Sequence, residues 1–305
     1  MSEHPEERHP CGFLASWTTK ASSAAPPREA RSIILQVTVG CSHNRCTFCG
    51  TYRQKRFRIK ERERVEADLD RAARLYPDTR RLFVADGDAL IMPMAHWQWL
   101  LPAIRDRLPA VQRVGTYATA RAVRKKTDEQ LRWLRANGLR IVYLGLESGD
   151  DETLRYVHKD STGSQMVAAG RRLKAAGFTL SVTVLLGIAP DGRSGEHARE
   201  TGRVLSAIDP QFVGALSVML CEGSELVEQV QRGTHTIPGP VGYLRELGEM
   251  LAHTELSDGQ FMANHASNHL PLKVLLPGGR DDALALIDRA LAGEVALKPE
   301  GMRAL

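Results

Sequence analysis

The sequence predicts an α/β protein: a partial (β/α)6 barrel of the TIM type with a C-terminal α-rich extension. Three observations predict it. Six apolar runs, at 33–39, 81–85, 111–117, 139–146, 178–186 and 212–220, recur along the chain. Amphipathic stretches at 61–75, 94–107, 128–137, 164–176 and 194–207 separate them. Several runs are almost wholly apolar, as strands covered on both faces are. Alternating β and α units imply a parallel sheet with right-handed crossovers, and six units suit a curved, incomplete barrel better than a closed eight-fold one, which is the alternative.

Residues 1–30 hold Pro5, Pro10, Pro26 and Pro27 among small and charged residues, the composition of a loosely ordered arm. Cys11 lies in this arm, where it is either incidental or a contact to a second cofactor. The barrel is expected over 31–221. Asn137-Gly138 and Ala176-Gly177 resemble glycine stops before a strand. Thr127 with Gln130, and Ser194 with His197 three residues on, are expected N-caps. Beyond residue 221 the rhythm breaks into helices at 223–231, 243–254 and 281–292 and a short strand at 261–266. This extension, 222–305, is expected to pack over the barrel mouth.

The 305-residue chain is 43% hydrophobic and 25% charged, an ordinary globular balance. No stretch approaches the ~20 apolar residues of a membrane span, and the polar start is not followed by a secretory h-region. Five cysteines, an odd and clustered set, suit a reducing cytoplasm rather than a disulfide framework. The net charge of +5 permits a phosphate-bearing or nucleic-acid partner without arguing for one.

Chemistry concentrates in Cys41-Ser-His-Asn-Arg-Cys46-Thr-Phe-Cys49, directly after the first run. Three thiolates this close can bind three irons of a [4Fe–4S] cluster and leave the fourth open. A structural zinc site would need a fourth ligand, for which His43 is available, giving a Cys3His set. Ordinary buried thiols are the remaining reading. Cys46-Thr-Phe-Cys49 resembles half of the signature of the radical S-adenosylmethionine (SAM) superfamily. That family usually has three residues between its first two cysteines, whereas this sequence has four.

The resemblance covers roughly residues 32–220 and implies further contacts at the strand ends, where a parallel barrel gathers its functional loops. Asp86-Gly87-Asp88, after the second run, resembles loosely the segment that holds the methionyl amine. Glu147 and Ser148, leaving the fourth run in Gly-Leu-Glu-Ser-Gly, would meet the ribose hydroxyls. Gly187, after the fifth run, and Phe48 would flank adenine. Tyr117 would face SAM or substrate as a catalytic side chain. The resemblance also implies an electron donor such as flavodoxin or ferredoxin.

Two further stretches stand out. Arg53, Lys55, Arg56, Arg58 and Lys60 form either a phosphate grip or a solvated loop. In Asn264-His-Ala-Ser-Asn-His269, the amides of Asn264 and Asn268 would bind a polar substrate and His265 or His269 would move a proton. Cys221, after the sixth run, is a hydrogen-atom donor or a structural thiol. The sequence thus points to a radical SAM enzyme that abstracts hydrogen from a small molecule. An RNA-modifying enzyme and a non-catalytic iron–sulfur or zinc protein are the alternatives.

Overall fold

Each of the six apolar runs forms a strand, because each is long enough to pair and lacks a hydrophilic face. The computed structural model describes residues 26–304. The first 25 residues, including Cys11, lie outside the described residues. In chain order the elements begin with β1 (Ile33–Gln36), the short antiparallel pair β2 (Thr38–Val39) and β3 (Arg58–Ile59), α1 (Arg62–Leu75), β4 (Arg81–Ala85) and α2 (Met94–Arg107). Then come β5 (Arg113–Ala118), α3 (Ala120–Arg124), α4 (Asp128–Ala136), β6 (Leu139–Glu147), α5 (Asp151–Tyr156) and α6 (Gly163–Ala175). The remainder is β7 (Thr179–Leu186), α7 (Ser194–Ile208), β8 (Phe212–Ser217), α8 (Glu225–Gln231), α9 (Pro240–Ala252), β9 (Gly259–Met262), β10 (Lys273–Leu276) and α10 (Arg280–Leu291).

One sheet runs β1-β4-β5-β6-β7-β8-β9-β10. Its first six members are parallel, β9 pairs parallel with β8, and β10 turns back antiparallel on β9. The closed eight-fold barrel is therefore excluded: β1 and β10 are the two edges. The extension was expected to be helical with one short strand, yet it adds two strands to the barrel sheet. Each is four residues long, too short to carry a run of its own.

Alternation sorts the side chains. On β4, Leu82 and Val84 join the main core with α1 and α2 residues such as Leu69 and Trp97. Phe83 and Ala85 point the other way and meet Ile141, Tyr143, Ile34 and Tyr117 in a separate interior cluster. Phe83, Tyr117 and Tyr143 stack edge to face, with centroids 5.0, 5.7 and 6.1 Å apart. Glu29 closes this layer from the N-terminal side. Its buried carboxylate accepts from Tyr143 Oη at 2.5 Å, Arg113 Nη2 at 2.7 Å and Ser32 Oγ at 2.5 Å. The Arg28 guanidinium lies 3.7 Å from the Phe212 ring centroid. Residues 28–32 thus belong to the barrel floor, and of the arm expected over 1–30 only residues 26–30 fall among the described residues.

Thr127 caps α4 in a capping box with Gln130, as the sequence indicates. Ser194 does not cap α7. It is the first helical residue, and its hydroxyl instead donates to Glu246. Among the described residues no helix is long and apolar enough to cross a membrane.

Candidate functional site

The cysteine loop is laid across the C-terminal strand ends and fastened on three sides. Asn44, in a left-handed conformation at φ 52°, donates from Nδ2 to the carbonyls of Tyr52 and Lys55 at 2.7 and 3.2 Å, folding the loop back on itself. Thr47 N donates to Val157 O at the end of α5, and Leu226 N of α8 donates to Thr47 O. Arg53 reaches Cys46 O at 3.1 Å and Glu225 at 3.4 Å. The fit to the strand ends is close enough to require glycine twice. A Cβ on Gly87 would stand 2.6 Å from the Tyr52 ring and 3.0 Å from Cys41 Cβ, and one on Gly50 would stand 3.0 Å from Cys221 Cβ.

Cys41, Cys46 and Cys49 are free, half-buried thiols. Burial pushes all three above the usual thiol range, Cys46 to about 12, and the other two cysteines push Cys46 further in the same direction. Three thiols that resist ionisation together suit a cationic centre that would supply the missing charge. Among the described residues no three His, Cys, Asp or Glu side chains close tightly enough for a single ion. His43 does not serve as a fourth ligand. Its Nε2 donates to His158 O at 2.6 Å and its Nδ1 faces Asp160 at 4.0 Å. The donor set fits a three-cysteine cluster better than a Cys3His zinc.

A lysine that sequence reasoning missed stands beside the thiols. Lys159 Nζ donates to Glu147 Oε1 at 2.9 Å in a largely buried ion pair. Desolvation would lower the lysine, but Glu147, Cys46 and Cys41 outweigh it and hold the ammonium firmly charged. Glu147 adopts φ 64° at a register shift between β6 and β7, which turns the carboxylate back over Gly145.

The other expected contacts divide. Asp86 is spent on the fold: it accepts from Tyr52 Oη at 2.5 Å, Gly40 N at 3.2 Å and Gln36 Nε2 at 3.3 Å. Asp88 ties Ser42 Oγ at 2.5 Å to Thr119 N at 3.1 Å, and burial raises it to about 6. Ser148 donates to His197 Nδ1 at 2.7 Å, and His197 in turn faces Glu246 at 3.3 Å, so the hydroxyl is already occupied. Gly187 N donates to Glu246 Oε1 at 2.6 Å, and a Cβ there would strike the Tyr243 ring. Phe48 is half-buried and packs against the main core. Tyr117 stands in the interior aromatic layer, its hydroxyl pushed up by burial and by Asp86, Glu29 and Glu147.

The tail motif is structural where it is buried. Asn268 accepts from Ser217 Oγ at 2.8 Å and donates to Ala215 O and Ala263 O, both at 2.8 Å, which uses up its amide. His269 is 2% exposed and donates from Nδ1 to Lys298 O. These bonds make a seam between β8 and the tail, and His269 Nε2 faces Glu300 at 3.4 Å. His265 accepts from Ser267 N in a local turn, and Asn264 is exposed. Two members of the basic stretch are paired, Arg53 with Glu225 and Lys60 with Asp68, and Lys55 Nζ lies 5.7 Å from the Tyr52 ring centroid.

A model of the radical SAM superfamily matches residues 35–201. No curated protein matches the chain in sequence. Among solved structures, coproporphyrinogen III oxidase from Escherichia coli, a radical SAM enzyme, aligns with a TM-score of 0.54 at 16% identity, covering 72% of this chain and 51% of that one. The radical SAM methyltransferase TsrM from Kitasatospora setae, with cobalamin and a [4Fe–4S] cluster bound, gives 0.56 at 19% identity over 93% of this chain and 59% of its own. Methylornithine synthase gives 0.51 at 16% identity, covering 73% and 63%. The chain spans 51–63% of the length of these proteins, and at such identities the likeness is one of fold.

Proposed function

The chain belongs to the radical SAM superfamily, and from this premise we propose that it is a radical SAM enzyme, with a [4Fe–4S] cluster and SAM as its cofactors, that acts on a small molecule bound beneath its cysteine loop. When bound and given one electron by an external reductant, cluster and SAM would supply a reductive cleavage to methionine and a 5′-deoxyadenosyl radical able to take a hydrogen atom from substrate. The observation that carries the reading is the buried Lys159–Glu147 pair set beside three thiols in one loop.

Cys41, Cys46 and Cys49 hold the cluster. Lys159, a desolvated cation facing two of these thiols, binds the methionyl carboxylate. Asp88 and the backbone at Gly87 receive the methionyl amine, and Glu147 orients the ribose while it steadies Lys159. The backbones of Gly187 and Phe48 flank adenine. Tyr117, packed with Phe83 and Tyr143, forms an apolar layer inside the barrel that would keep water from a reactive carbon radical. The small-molecule reading is supported by the engagement of Arg53 with Glu225 and of Lys60 with Asp68, which takes two charges of the basic stretch out of any phosphate grip. A reducing, cytoplasmic setting suits both the free thiols and the oxygen-sensitive centre.

The test is anaerobic. The protein is reconstituted with iron and sulfide, then given SAM and dithionite. Methionine and 5′-deoxyadenosine should form with wild type and fall to background in Cys46→Ala. Tight zinc binding with no iron uptake would overturn the reading.

A further inference from the structure

An open cleft of about 660 Å³ flanks the cysteine loop, lined by Ser42, His43, Arg45, Arg121, Arg124, Lys125 and Asp160. We propose that it is the docking face for an acidic one-electron carrier protein, a proposal that rests on the reductive chemistry above.

Position is the first argument. Ser42, His43 and Arg45 come from the four-residue stretch between the first two cysteines, so one wall of the cleft is the outer face of the cluster loop itself. That wall is fixed, since Ser42 is fastened to Asp88 and His43 to the carbonyl of His158. A carrier seated there is one residue from Cys41, and an electron needs a short path rather than an open channel. The carrier gives up one electron, the centre gains one, and no bond is made or broken at the docking face.

Charge is the second argument. Four cationic side chains meet one carboxylate. Asp160 is itself held between Arg121 at 3.5 Å and His43 at 4.0 Å. Arg45 and Lys125 have no ion-pair partner among the described residues, and with Arg124 they are exposed. Uncompensated cations around a concave rim attract an acidic surface from a distance and release it again, as rapid electron delivery requires.

The test uses a purified acidic flavodoxin and the reconstituted enzyme. Affinity is measured by titration at several salt concentrations, and SAM cleavage is driven in parallel by reduced flavodoxin or by dithionite. Arg124→Glu/Lys125→Glu should weaken flavodoxin binding at low salt at least about tenfold, and the difference should shrink as salt rises. Flavodoxin-driven cleavage should fall in step while dithionite-driven cleavage stays at the wild-type rate. Arg124→Gln/Lys125→Gln should give an intermediate loss. Unchanged affinity and salt dependence in the charge-reversed protein would overturn the proposal. So would an equal loss of the dithionite-driven rate, which would assign the cleft to SAM or substrate. Absence of cleavage by wild type with dithionite would sink the functional reading instead, and the binding titration stands apart from it.

Discussion

A single buried lysine sets the charge balance beside the three thiols. Lys159 faces Glu147, Cys41 and Cys46, and without it Glu147 would be a desolvated carboxylate with no counter-charge. Lys159→Met should therefore destabilise the protein by about 3–5 kcal/mol in chemical denaturation. Lys159→Met/Glu147→Gln should recover much of that loss, because it removes both charges together. SAM affinity should stay weakened at least about tenfold in both variants if the ammonium binds the methionyl carboxylate. Wild-type SAM affinity in the double variant would make the pair purely structural. The three cysteines stand out in the sequence because they are close neighbours in it. Lys159 does not, since His158-Lys159-Asp160 looks like any solvated polar turn, and only the fold brings it to the thiols. Asp86 shows the converse. It sits where an amine-binding acid is expected, and the same strand-end position lets it staple Tyr52 and Gly40.

Elements were legible in proportion to how local their signals are. The parallel strands announce themselves as apolar runs, and Thr127 with Gln130 announces α4. The cap of α5 is less obvious, because Asp150 lies among other acids. Its carboxylate accepts from Thr153 N at 2.9 Å and pairs with Arg193 at 2.8 Å. Burial alone would raise it, but Arg193 and Thr153 outweigh burial and hold it at about 2, below the ordinary 3.8. A depressed carboxylate contributes stability above its unfolded pKa and loses it as pH falls through the folded one. Stability from this cap should be complete above about pH 4 and gone near pH 2. Asp150→Asn should cost about 1–2 kcal/mol at pH 6, with the gap to wild type narrowing as denaturation is repeated toward pH 3. The four-residue strands β9 and β10 were the illegible elements. Their pairing is with β8 and with each other, and four residues hold too little pattern to announce a partner distant in sequence.

At the scale of the molecule, barrel and extension share one sheet. Phe261 of β9 is fully buried, Tyr243 Oη donates to Val218 O, and Arg303 reaches the same carbonyl. Glu246 of α9 joins Gly187, Ser194 and His197 at the ends of β7 and α7. The composition change near residue 222 is a real change of rhythm, but it marks no break in the sheet. Asn268 tests this directly, because its amide crosses the seam between β8 and the tail. Truncation to Ala would leave Ala215 O, Ala263 O and Ser217 Oγ without their partner, at a cost of about 2–4 kcal/mol. If barrel and extension unfold together, Asn268→Ala lowers the midpoint of one cooperative transition and leaves SAM affinity at the wild-type value. An independent extension would instead show an early transition of its own, with the barrel signal unmoved. A substrate-binding amide would leave stability nearly intact and weaken turnover, so the two readouts together separate a structural pin from a site contact.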